Sequence, residues 1–371
     1  MIRVGVDASQ ANAANRTGTE WYAFDLLHAL AEIRQSEEYI LYIENPLRDD
    51  LKDLGSGFTT RELHWPLKRF WHQGRLSVEM LTKKPDVFFA PAHALPLIQT
   101  TRSVTTIHDI GFEDFPELYP TWERRYHAFA LRHALRTAER VIVPSHFTLQ
   151  RIQHHFSVDV KRFVVIHHGF HLERYSEKPT EEEKSFVRKK YGLHKPFLLF
   201  IGRIEQKKNV PNLVRAFAEV QRQGVHDVDL VLAGGDGFGA DVVEKIIREN
   251  NLHGTVHRLG YTDAGYLRVL MHMAKGFAFV SNYEGFGFPV LEAFAAGTPV
   301  LISRAGSLPE IAGEAALSAD PKNVQDIAAG LYALATNDAQ NVSLREKGHK
   351  QLAGFSWKSA ALKTRNVLLQ E

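Results

Sequence analysis

Short runs of apolar, β-prone residues alternate along this chain with longer segments whose apolar positions recur every three or four residues. That alternation predicts parallel sheets covered by helices. In the first half the apolar runs fall at 2–7, 39–44, 58–65, 87–90, 103–107, 140–144 and 163–167. Between them, Trp21, Phe24, Leu27, Leu30 and Ala31 share one helical stripe and Tyr126, Phe129, Ala130 and Ala134 another, so both segments are expected to be core-facing helices. From about 170 to 195 the pattern weakens into a polar stretch containing Pro179 and Glu181-Glu182-Glu183, which reads as a linker running into a charged helix. Strands restart at Phe197 to Gly202 and continue at 229–233, 256–259, 276–281 and 299–302. The expectation is an α/β chain of two doubly wound sheets, with the carboxyl ends of both facing a cleft between domains.

Composition agrees with two soluble domains. The chain has 371 residues, 44% apolar and 24% charged, and a domain averages roughly 150 residues. A net charge of +2 supplies no global field for nucleic acid. The absence of cysteine removes disulfides, thiolate zinc sites, iron–sulfur clusters and cysteine nucleophiles. Charges at Arg3 and Asp7 interrupt the first apolar run, and no apolar stretch is long enough to span a bilayer. A cytoplasmic protein is expected, at most peripheral on a membrane.

Four stretches carry candidate chemistry. Ser281 to Glu292 follows a strand and opens a helix, with Pro289 in its first turn. Gly285 and Gly287 admit a ligand close to the main chain, and the helix start offers N–H groups to an anion. Glu284 and Glu292 bracket this loop and suit hydroxyl groups better than phosphate; the alternative is a helix-starting loop with two solvated glutamates. Gly202 to Asn209 also follows a strand. Arg203 and Lys208 there can grip a diphosphate and stabilise it as a leaving group, with Asn209 as the cap of the next helix, or they can belong to a solvated basic turn. Thr105-Thr106-Ile107-His108-Asp109 ends a strand of the first half, which makes His108 a candidate substrate contact. At Arg16-Thr17-Gly18-Thr19-Glu20 a loop entering the first helix can offer N–H groups to phosphate.

Other patterns point elsewhere. Gly235 to Ala240 fits the dinucleotide fingerprint, which leaves an NAD-type oxidoreductase as an alternative, although the next strand ends without an acid for the ribose. Asp227-Val228-Asp229 has the form of a divalent-metal motif but lies at the amino end of its strand. His154-His155 and His167, His168 and His171 lack zinc-ligand spacing. The stretch 64–75 interleaves Lys68, Arg69 and Arg75 with Trp65, Phe70 and Trp71, a pattern for a membrane surface or a saccharide, or for an ordinary amphipathic segment.

Taken in order, Ile107-His108-Asp109, Val143-Pro144-Ser145, Gly202-Arg203 with Lys208-Asn209, Glu284 to Pro289 with Glu292, Ser307 to Ile311, and Phe355-Ser356-Trp357 resemble the GT-B glycosyltransferases of family 4 (GT4). Within that family the chain is most similar to mannosyltransferase-like enzymes of bacterial surface-polysaccharide assembly. The resemblance implies two Rossmann-like domains, 1–172 on the acceptor side and 173–354 on the nucleotide-sugar side, with 355–371 as a helix returning to the first. It implies retaining, metal-independent hexosyl transfer from a nucleotide-diphosphate sugar, GDP-mannose favoured, to a saccharide or lipid-linked saccharide, with no cofactor. Arg203 and Lys208 would hold the diphosphate, Glu292 the ribose, and Glu284 with the backbone from Gly285 to Phe288 the sugar. Gly18, Tyr261, Val290 and Leu291 complete the donor site, and His108 lies near the transferred sugar. Thr17-Gly18-Thr19 departs from the paired glycines common in the family. A nucleotide-sugar-binding module without turnover and a nonhydrolysing epimerase share this architecture.

Overall fold

A computed structural model describes residues 1–66 and 70–371 and divides the chain into two compact units, Met1–Gly169 with Phe355–Glu371, and Phe170–Gly354. The first is built on seven parallel strands: β1 (Arg3–Asp7), β2 (Glu38–Ile43), β3 (Phe58–Glu62), β4 (Val87–Ala90), β5 (Arg102–Thr106), β6 (Arg140–Val143) and β7 (Phe163–Val165). Their order is β3-β2-β1-β4-β5-β6-β7, with Val4 opposite Tyr39 on one side and Val87 on the other. The central strands are buried on both faces, as parallel sheets require, which is why they read as continuous apolar runs.

One face packs Val4, Val6, Leu41 and Phe89 against Leu26, Leu27 and Leu30 of the helix Gly18–Ile33 and against Trp357 and Leu368 of the last helix, Trp357–Leu369. The other packs Tyr42 and Phe88 against Leu76, Met80 and Leu131. Both expected helices exist, but their buried stripes are rotated from the reading above. Trp21 is 38% exposed and Phe129 51% exposed. The helix Gly18–Ile33 buries Tyr22 and Leu26 instead, and the helix Thr121–Thr137 buries Leu131 and Leu135. The Arg16 guanidinium covers the rings left outside, 4.0 Å from Phe24 and 5.5 Å from Trp21.

The last helix is fastened by more than apolar contact. Arg365 Nε donates to Glu37 Oε1 at 2.9 Å, and both side chains are buried. A Cβ on Gly169 would stand 2.3 Å from Trp357, so a glycine is required there for the segment to close on the helix.

The second unit holds β8 (Phe197–Ile201), β9 (Asp229–Ala233), β10 (Val256–Gly260), β11 (Gly276–Phe279), β12 (Val300–Ser303) and β13 (Leu317–Ala319), all parallel, in the order β10-β9-β8-β11-β12-β13. β13 corresponds to no strand read from the sequence. Three residues, none β-branched, leave no pattern, and pairing with β12 alone makes it a strand. β8 and β11 are neighbours at the centre, so the loops leaving their carboxyl ends lie side by side.

Candidate active site

Those two loops carry the basic and acidic motifs. Lys208 Nζ lies 2.6 Å from Glu284 Oε1, with both side chains largely shielded, at 19% and 13% exposure. Main chain sets this geometry: Asn282 N–H donates to Lys207 O at 2.9 Å, and its side-chain amide donates to Gln206 O. Asn209 does not cap the helix that follows. It adopts a left-handed conformation (φ 60°), and its buried amide donates to Val280 O at 3.0 Å and Pro321 O at 2.8 Å, joining three segments beneath the pair.

The Glu284 loop is clamped from the next strand. Ser307 N–H donates to Glu284 O and its hydroxyl to Phe286 O. Gly306 (φ 68°) passes so close that a Cβ would meet Glu284 N at 2.8 Å. Gly287 turns the chain at φ 113° into the helix Phe288–Ala295. Phe286, Val290 and Leu291 have buried side chains, so only their main chain can meet a ligand.

Glu292 sits one turn into that helix. Burial pushes its carboxyl up to about 7, opposed by a hydrogen bond from the Tyr175 hydroxyl and by the Arg174 charge. Tyr175, on the short helix Glu173–Ser176, is held in turn by His272 Nε2, which donates to its carbonyl at 2.8 Å.

Arg203 is exposed and pairs with no carboxylate among the described residues. Its loop is braced by the glycine-rich turn: Ile204 N–H donates to Gly235 O, Gly237 N–H to Ile204 O and Gln206 N–H to Phe238 O. Added Cβ atoms at Gly237 and Gly239 would strike Glu205 and Gln206. The dinucleotide-like glycines are thus spent on packing against the Arg203 loop. Tyr261 is 84% exposed at the end of the edge strand β10, two strands from β8, and is not drawn into the Lys208–Glu284 cluster.

In the first unit, Gly18 opens its helix, and the Thr17 N–H and hydroxyl both donate to the Glu20 carboxylate, at 3.1 and 2.6 Å. A carboxylate therefore already occupies the helix start proposed for phosphate. His108 Nε2 lies 2.8 Å from Pro91 O, which can only accept, so the ring carries its proton there. Its Nδ1 then accepts from His168 Nε2 at 3.4 Å. The Tyr22 ring abuts both imidazoles, 4.7 and 4.4 Å away between centroids. Burial holds both histidines below their ordinary range, so they are neutral at pH 7. Tyr22, Tyr175, His168 and Ser307 as supports of these groups were beyond sequence reading, because each acts across tens of residues with no spacing signal.

The remaining motifs resolve locally. Asp229 begins β9 with His257 Nε2 at 2.9 Å and Lys195 at 3.8 Å, an amino-end arrangement. His155 pairs with Asp114. Among the described residues, no group of three or more His, Asp or Glu is placed to hold a metal ion. In the stretch 64–75, read as a membrane or saccharide surface or an ordinary amphipathic segment, Trp71 is buried and its indole donates to Leu63 O at 2.8 Å, while Arg75 pairs with Glu79. Trp71 is therefore a core residue. Phe70 is exposed, and Lys68 and Arg69 lie outside the described residues. Among the described residues no helix is long and apolar enough to cross a membrane.

Known proteins resemble this chain in sequence and in fold. Residues 16–174 match the family described as Glycosyltransferase Family 4, and residues 181–351 match Glycosyl transferases group 1. O-antigen chain mannosyltransferase B of Escherichia coli is 30% identical over 368 residues, covering 95% of both chains. D-inositol 3-phosphate glycosyltransferase of Corynebacterium aurimucosum is 26% identical, covering 74% of this chain and 66% of that one. Among solved structures, Anabaena HepE in complex with UDP and glucose superposes with a TM-score of 0.75 at 18% identity over the whole of both chains. WaaG, a glycosyltransferase involved in lipopolysaccharide biosynthesis, does so with 0.72 at 15%. Two doubly wound parallel sheets of this kind are the GT-B architecture. The chain belongs to the group 1, family 4 glycosyltransferases.

Proposed function

We propose that this chain transfers a hexose, mannose favoured, from a nucleotide-diphosphate sugar, GDP-mannose favoured, to a saccharide or lipid-linked saccharide on the cytoplasmic side, retaining the anomeric configuration and using no metal ion. The observation that carries the reading is the Lys208–Glu284 pair on the loops of adjacent central strands. An ammonium has three N–H donors, and Glu284 takes one. The others can reach diphosphate oxygens, so one lysine spans the leaving group and the carboxylate that accepts from the sugar hydroxyls. Arg203, exposed beside it, adds a second cation.

In the transfer step the bond from the anomeric carbon to the diphosphate oxygen breaks as the bond to the acceptor oxygen forms. The acceptor proton passes to the departing diphosphate. Charge growing on that group is what Arg203 and Lys208 neutralise, the task a divalent ion performs elsewhere. Glu292 accepts from the ribose hydroxyls. His108 has Nε2–H on Pro91 O and Nδ1 against His168 Nε2, so it acts as a contact beside the transferred sugar, hydrogen-bonding it only where Nδ1 exchanges His168 for a substrate hydroxyl, and not as a proton donor. The mannose preference is supported by the Escherichia coli relatives whose names are O-antigen chain mannosyltransferase B and serotype-specific mannosyltransferase WbdA.

A panel of nucleotide sugars, with the product's anomeric configuration read by NMR, tests this. Expected are turnover of GDP-mannose, an α-linked product from the α-linked donor, and a rate unchanged by EDTA. Absence of turnover with every nucleotide sugar, an inverted product, or loss with EDTA restored by magnesium would each overturn the corresponding part.

A further inference from the structure

The first unit contains a cavity of about 420 Å³ that no step above uses. It opens where β1 and β2 end, at the carboxyl edge of the sheet where ligands of such folds bind. Its size falls within the roughly 300–1,000 Å³ usual for small-molecule sites. At its base Asp7, the last residue of β1, is 2% exposed and bound by His72 Nε2 at 3.1 Å and by the Ser9 hydroxyl at 2.6 Å. Burying such a pair is a poor way to gain stability. What it achieves here is a fixed imidazole on the cavity wall.

We propose that this cavity, lined by Ser9, Gln10, Glu44, Asn45, Arg48 and His72, binds a neutral sugar ring of the acceptor; this rests on the glycosyl-transfer reading above. The walls are prepared for a ligand. Asn12 is consumed in holding them apart: its amide donates to Asn45 O and Pro46 O, each at 3.1 Å, and its carbonyl accepts from Arg48 N–H at 2.9 Å. By contrast, the side chains of Gln10, Glu44 and Asn45 make no hydrogen bond to any described residue. The lining holds one carboxylate, Glu44, one guanidinium, Arg48, whose Nε already lies 4.0 Å from Asp50, and the His72 imidazole backed by the buried Asp7.

That balance selects the ligand class. Phosphate would meet the Glu44 carboxylate, an ammonium would meet the Arg48 guanidinium, and an apolar group would strip water from both and from the free amides without return. A sugar hydroxyl both donates and accepts, which suits carboxylate, amides and imidazole together. Burial works against the charge on His72, but the adjacent Asp7 carboxylate, with Glu44 beyond it, outweighs this and keeps the ring protonated above its ordinary range. With Nε2 on Asp7, Nδ1 is the ring atom left for a ligand.

The test uses the full chain, with methyl α-mannoside and an α-linked mannobiose as probes, observed by saturation-transfer NMR, and with GDP affinity measured alongside by calorimetry. Glu44→Gln and Gln10→Ala are both surface-facing changes that leave Asp7 and His72 in place. Each is expected to weaken mannoside binding and raise the acceptor KM by about tenfold, the cost of one lost hydrogen bond to a charged or preorganised group, with GDP affinity unchanged. Equal mannoside affinity in wild type and both variants, or displacement of the probe by inorganic phosphate, overturns the site. If mannosides fail to bind while GDP-mannose is still consumed, this inference falls and the transfer reading stands. If mannosides bind and respond to both variants but no nucleotide sugar is turned over, the transfer reading falls and a saccharide site remains.

Discussion

Lys208 and Glu284 are partners across 76 positions, yet each was legible from its own loop, because a strand end followed by charged residues and glycine points to a ligand edge. What the loops did not show was that the two charges meet. Lys208→Ala therefore has two consequences. It removes the donor proposed to meet developing charge, expected to lower kcat by about 100- to 1,000-fold, and it leaves Glu284 shielded without its partner. Steady-state rates on GDP-mannose should show that loss in a protein whose circular dichroism is unchanged; a loss under tenfold would contradict the leaving-group role. Glu292 yields a second prediction with a definite sign. Its carboxyl titrates near 7 in the folded chain against about 4.5 ordinarily, so between those values the folded state binds more protons than the unfolded. The unliganded protein then loses stability as pH rises from about 4.5 to about 7. On the proposed ribose role, GDP affinity is expected to move the other way, rising through 7 as the Glu292 carboxylate forms. Tyr175→Phe removes a donor that favours the ionised form and should shift that midpoint upward, an effect absent when Glu292 is already Gln. An unshifted midpoint would mean that Tyr175 does not orient the carboxylate.

Elements were legible in proportion to how much of their pattern is local. Continuous apolar runs marked twelve of the thirteen strands, whereas β13 is a strand only because β12 pairs with it. The helical stripes were displaced because aromatic side chains at helix edges, Trp21 and Phe129, count as apolar in a sequence but are covered here by Arg16 and stacked on His133. Asn209 shows a sharper limit: an asparagine before a helix reads as a cap, but this one is turned inward by its left-handed backbone. Its role as a stitch between β8's loop, β11's loop and the segment at Pro321 predicts that Asn209→Ala leaves the Val280 carbonyl without its amide donor, at about 1–3 kcal/mol, while Pro321 O keeps Asn212, in addition to straining the positive φ. Urea denaturation should show a fall in midpoint, with a raised KM for donor because Lys208 is the adjacent residue. Asn209→Gly relieves the backbone but not the lost bonds, and is expected to recover only part of the stability.

At the scale of the molecule, the least legible feature is that the chain's end belongs to its beginning. Nothing local in Arg365 or Glu37 announces a partner 328 residues away, yet the pair is buried and seals the last helix against β1 and β2. The resemblance to family 4 implied a returning helix; the ion pair and the Trp357–Gly169 contact show how this chain holds one. Breaking a buried pair from one side leaves a charge without compensation, so Arg365→Ala is expected to destabilise the first unit by about 3–5 kcal/mol. The pH dependence has the opposite sign from that of Glu292. Burial alone would raise the Glu37 carboxyl, but hydrogen bonds from Arg365 outweigh it and hold the group below its ordinary 4.5. The stability it contributes is complete above that value and is lost as pH falls through the depressed one. Amide hydrogen exchange locates the effect: protection in β1 and in the helix Trp357–Leu369 should fall together in Arg365→Ala at pH 7, while β8 and β11 retain theirs. Loss of protection in the last helix alone, with β1 unchanged, would mean that the helix is an appendage and that the first unit's core closes without it.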